Sequence, residues 1–182
     1  MLRRVSRAAL VASLILFIAA GPAYAMSLWS RGRTPPFSVP YDLGPDTLKI
    51  ELKIREYRQY SIDLLIKYRP DSQRDLARKL AGGPESHPNV ERGVPTEFLI
   101  TFKRLPGEQD VANIRFESVG IRRSAGLSAD GLAVVARRIG DVRLRPGRYL
   151  MEVVNLRDAV PFEKVRTEVG LFYNPKNTPI RD

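Results

Sequence analysis

The stretch Leu144-Arg145-Pro146-Gly147-Arg148-Tyr149-Leu150-Met151-Glu152-Val153-Val154-Asn155 holds two fold signals in one place. Pro146-Gly147 supplies a tight turn, and beyond it Tyr149, Met151 and Val153 alternate with more polar neighbours, the period of a half-buried strand. The same alternation recurs on both sides. Upstream it runs through Leu48, Ile50, Leu52 and Ile54, then through Tyr60, Ile62, Leu64, Ile66 and Tyr68. The intervening Glu56-Tyr57-Arg58-Gln59 lacks Gly or Pro, so it reads either as a turn or as a bulge in one long strand. Residues 96–105, 111–121, 131–139 (Leu132, Val134, Ala136), 142–144, 148–156 and 166–173 read as further strands. Short strands spaced by Gly and Pro predict a mainly all-β chain, an antiparallel β-sandwich, with a barrel as the alternative. One core is expected from Ile50, Leu52, Ile62, Leu64, Phe98, Ile100, Val134, Tyr149, Met151, Val153, Val169 and Leu171.

One short helix interrupts the strands. Leu76 and Leu80 lie four apart within residues 72–81, Asp71 or Ser72 is placed to cap, and Gly82-Gly83 terminates. Residues 84–93 read as a loop containing Glu85, Ser86 and His87.

The corner Pro146, Gly147 and Tyr149 resembles the one that immunoglobulin-like and fibronectin-like sandwiches place between their two sheets. There a Tyr hydroxyl returns to backbone a few residues upstream. A plain strand opened by an aromatic residue reads the same way, and in either case the motif is structural.

At the N-terminus, Arg3, Arg4 and Arg7 precede a 13-residue apolar run from Ala8 to Ala20, then Gly21-Pro22 and Ala23-Tyr24-Ala25. This order predicts a signal peptide over residues 1–25 cleaved after Ala25, because the run is shorter than the ~20 residues a membrane span needs. Its removal takes three Arg and no acid, leaving 157 residues and lowering the formal charge from +10 to +7. An extended arm is expected over 26–45, where Phe37, Val39 and Tyr41 could follow a sheet edge beside Pro40. The sandwich is expected over 46–176 and a tail over 177–182. A periplasmic or secreted location follows, with no stable membrane insertion after cleavage, since no second apolar run of spanning length appears.

Composition narrows the chemistry. The chain has no Cys and one His, which removes thiol catalysis and Cys-ligated metals and forces any imidazole mechanism through His87. No catalytic residues, metal site or cofactor are assigned, and neither a phosphate loop nor a dinucleotide fingerprint occurs. The remaining signal is arginine, whose fork suits carboxylates and phosphates. Arg122, Arg123, Arg137, Arg138, Arg145 and Arg148 are the candidate binding residues, and an anionic protein or envelope polyanion is the expected partner. Nucleic acid is disfavoured because export removes the chain from it. A basic surface that reflects Arg-rich codon usage, with no partner, is the alternative.

Residues 55–62 (Arg55-Glu56-Tyr57-Arg58-Gln59-Tyr60-Ser61-Ile62), Gly93-Val94-Pro95-Thr96, the corner at 144–149, Asn155-Leu156-Arg157-Asp158 and Phe172-Tyr173-Asn174-Pro175-Lys176 together resemble a bacterial family of small exported or lipid-anchored domains of unestablished function. The resemblance implies a β-sandwich in the cell envelope and transfers no functional residues. Many such relatives begin with a lipoprotein Cys, which this chain lacks. The functional expectation is an exported, non-catalytic binding module, in its concrete form an immunity or inhibitor protein. The alternatives are an envelope hydrolase using Glu85, His87 or Asp110, and an envelope assembly or structural factor.

Overall fold

Strand β1 (Phe37–Pro40) pairs antiparallel with the last strand, β9 (Arg166–Phe172), so the two ends of the domain meet in one sheet. The computed structural model describes residues 32–82, 93–107, 109–118, 123–128, 130–157, 160–174, 176 and 179–180. Between those ends lie β2 (Leu48–Ile54), β3 (Arg58–Tyr68), helix α1 (Arg74–Ala81), β4 (Thr96–Leu105), β5 (Gln109–Ser118), β6 (Arg123–Leu127), β7 (Ala133–Leu144) and β8 (Gly147–Asn155). They form two antiparallel sheets, ordered β1-β9-β3-β7-β6 and β2-β8-β4-β5. Residues from Arg33 onward make one compact unit.

The neighbours β3-β7-β6 and β8-β4 follow strands B-E-D and F-C of an immunoglobulin sandwich. The outer strands depart from it, because β9 lies beside β3 rather than β8, and β2 beside β8 rather than β3. A 3-10 turn at Val160–Phe162, with Phe162 buried, sits on the crossing from β8 to β9.

Several sequence expectations change in detail. The segment at 55–57 is not a bulge within one strand; it is the turn that carries the chain from one sheet to the other, since β2 and β3 belong to different sheets. The two strands expected at 131–139 and 142–144 merge into the single strand β7, Ala133–Leu144. Gly140 does not break it, because its missing Cβ leaves the space that the Phe116 ring occupies. Neither Asp71 nor Ser72 caps α1. Gln73 holds that position without a side-chain cap, its amide instead accepting from the Arg69 N–H at 2.8 Å and donating to the Lys164 carbonyl at 2.6 Å. Gly82 ends the helix at φ 80°, a conformation other residues avoid, and donates to the Arg78 carbonyl.

All twelve expected core residues are buried, but Val134 lies outside the shared core. The inward phase of β7 is Val135 and Arg137, opposite Ile66 and Leu64, which places Val134 and Ala136 on the outer face of the five-stranded sheet. The sandwich core is mostly apolar, with Leu52, Ile62, Leu64, Ile66, Phe98, Ile100, Met151 and Val153 fully enclosed, and Thr96 and Thr167 buried in the same inward phase.

Candidate functional site

Two tyrosine corners stand side by side at one end of the sandwich. Tyr149, third residue of β8, donates its hydroxyl hydrogen to the Arg145 carbonyl at 2.8 Å. Tyr60, third residue of β3, does the same to the Glu56 carbonyl at 2.8 Å. Both are buried, and burial raises both hydroxyls above the usual tyrosine range, Tyr60 to about 12. Register places the corners together, with Ile54 opposite Gly147 and Arg58 opposite Leu144. The Arg145 guanidinium lies 5.1 Å from the Tyr57 ring centre, linking one connector to the other by a cation–π contact.

This end is ringed by cations. Lys53, Arg55, Arg104, Arg143, Arg145 and Arg148 are exposed, and Arg58 is half-buried over the Tyr173 ring at 5.0 Å. Glu51 pairs with Arg148 at 3.1 Å and Glu56 with Arg58. Arg104 reaches the Pro146 carbonyl at 3.4 Å. Lys53, Arg55 and Arg143 have no ion pair or side-chain hydrogen bond among the described residues. A niche of about 240 Å³ lined by Thr34, Pro35, Arg55, Tyr60 and Tyr173 opens at the same end. Further along the outer face of the four-stranded sheet, acids sit among the cations. Glu152 pairs with Lys103 at 2.8 Å and with Lys49 at 3.3 Å, and these contacts hold its carboxyl below the usual range.

Of the six candidate arginines, only Arg145 and Arg148 come together here. Arg122 lies outside the described residues, and Arg123 opens β6 with its side chain outside them. Arg137 and Arg138 sit within β7 rather than in a turn. Arg138 pairs with Asp141. Arg137 is fully buried and donates to the carbonyls of Leu80 at 3.0 Å and Val94 at 2.5 Å, fastening the helix end and the entry to β4 onto the sheet. Burial lowers it to about 10, so it stays charged at neutral pH. In the sequence Arg55, Arg58 and Arg143 belong only to an arginine signal spread over the whole sheet, and Lys53 and Arg104 carry none, because their convergence depends on which strands pair. Glu85 and His87 lie outside the described residues, while Asp110 sits on β5 opposite Lys103. Among the described residues no group of three or more His, Asp or Glu could hold a metal ion, and no helix is long and apolar enough to cross a membrane.

Fold and site together define a two-sheet β-sandwich with a cation-rich end built on paired tyrosine corners. The chain belongs to the DUF5625 family, a domain of unknown function, whose model matches residues 40–173. No curated protein matches it. The crystal structure of GEBA250068378 from Sulfurospirillum deleyianum is similar at a TM-score of 0.61 and 15% identity, over 78% of this chain and 98% of that one. A β-glucosidase from Paenibacillus barengoltzii aligns at a TM-score of 0.32 and 11% identity, over 76% of this chain and 10% of that enzyme.

Proposed function

We propose that this protein is an exported, non-catalytic binding module of the cell envelope that meets an anionic protein through its tyrosine-corner end, as an immunity or inhibitor protein would. The observation that carries the reading is the trio Lys53, Arg55 and Arg143, exposed and without acidic partners among the described residues, around two connectors held by tyrosine hydrogen bonds. Cations held on a rigid frame lose little freedom on binding and steer an acidic partner in. The leader at residues 1–25 and the charge of +7 that remains without it support the same reading.

The test is capture from envelope extract, followed by titration of the purified partner against wild type, Arg55→Glu/Arg143→Glu and His87→Ala. Association should slow steeply between 0.1 and 1 M salt, as the Debye length falls from about 10 Å to about 3 Å. The double reversal should weaken it by roughly tenfold or more, with His87→Ala unchanged. Binding indifferent to salt and to both reversals, or an activity lost with His87, would overturn the proposal.

A further inference from the structure

About ten residues along β3 from the basic corners, at the opposite end of the sandwich, the chain forms a second concavity of about 560 Å³. Lys67 and Arg69 come to it from the end of β3, Lys164 and Arg166 from the approach to β9, and Asp130 and Glu163 complete its charged lining. Lys67 and Arg166 are direct register partners on β3 and β9. Two like charges opposite each other on neighbouring strands cost stability. Glu168 takes Lys67 at 2.7 Å, while among the described residues Arg166 has only Asp130, 4.0 Å away and shared with Lys67. Arg69 and Lys164 are exposed, and their side chains have no partner among the described residues. The Glu163 carboxylate is likewise without one.

We infer that this cleft binds an anionic sugar unit. The surplus of cations selects an anion, and the guanidinium forks of Arg69 and Arg166 suit a carboxylate or phosphate. Apolar lining is confined to Leu132 and Val165, too little to cover a lipid tail, and no ring is among the lining residues to stack a base, so the cleft suits a polar ligand. Asp130 and Glu163 provide the acceptors that sugar hydroxyls need. Asp130 is held in its ionised form, below the usual carboxyl range, chiefly by the Ser128 hydroxyl. Gln73 is already committed to the Arg69 N–H and the Lys164 carbonyl, and it sets the position of both cationic segments rather than meeting ligand.

The experiment is an NMR titration of the full mature chain with a glucuronate disaccharide, glucose 6-phosphate, a neutral disaccharide and inorganic phosphate. Either charged sugar should shift amides around residues 67–69, 130–132 and 163–166 and bind roughly tenfold tighter than the neutral sugar or phosphate alone. The first charged sugar preferred over the second identifies a carboxylate, the reverse a phosphate. Arg69→Gln/Lys164→Gln, both exposed, should lose about that factor while keeping the wild-type melting temperature, and Lys53→Gln/Arg143→Gln should bind as wild type. Neutral sugar or inorganic phosphate binding as tightly as the charged sugars, or cleft variants binding undiminished, would overturn the assignment.

Discussion

Tyr60 and Tyr149 occupy equivalent places, each third in its strand and each bonded four residues back. Tyr149 was legible because Pro146-Gly147 announced its turn, whereas Tyr60 follows a connector with neither residue. The usable signal was an Arg one or two positions before the Tyr, in Arg58-Gln59-Tyr60 and Arg148-Tyr149, behind a break in alternation, which is weak without a turn residue beside it. Replacing either Tyr by Phe should cost about 1 kcal/mol in urea unfolding, the net worth of one hydrogen bond. The raised hydroxyls also set an alkaline limit. An unfolded tyrosine ionises near pH 10, while folded Tyr60 does so only at about 12, so its contribution is complete below pH 10 and is lost as pH climbs through 12. The melting temperature should fall across that window, with tyrosinate absorbance rising in step with unfolding, and Tyr60→Phe should flatten the fall. Arg137 is the opposite case: a charge in the inward phase of β7 disguised that phase, so Val134 rather than Val135 read as core.

At the scale of elements, the strands with clean alternation, β2, β3, β4, β8 and β9, lie close to where periodicity placed them. Two did not declare themselves. Strand β6 (Arg-Ser-Ala-Gly-Leu) lacks β-branched or aromatic residues and exists by pairing with β7. Strand β7 looked split because Gly140 reads locally as a breaker, yet the residue that explains it, Phe116, comes from the other sheet. Gly140→Ala would drive a methyl into that ring and should cost about 1–3 kcal/mol. Phe116→Ala vacates the space, so the double variant should be more stable than the two separate losses imply, and a double-mutant cycle by chemical denaturation measures the coupling. Additive losses would show that the Phe116 ring does not constrain Gly140.

For the whole molecule, two layers of antiparallel strands were legible from alternation and turn chemistry. Membership of each sheet was not, because β2 and β3 are adjacent in sequence and carry the same pattern while lying in opposite layers. The cation-rich end was hidden for the same reason, since Lys53, Arg104 and Arg143 belong to three strands that only the topology gathers. The proposed export concerns the full chain, and it is tested by intact mass. Material from the periplasm should begin at Met26 and be free of the membrane pellet, while a mass that retains residues 1–25 in the pellet would contradict cleavage. The placement of β9 has a kinetic consequence. It is the last strand in order, yet it sits between β1 and β3, each paired to it over most of its length. Until it arrives, two early strands present open edges that any other extended chain could occupy. Closure of such distant segments makes folding slow, on the order of milliseconds to seconds for sandwiches of high contact order. A truncation within residues 166–172 therefore does more than shorten a sheet: it removes the piece that ends the chain's exposure to mispairing.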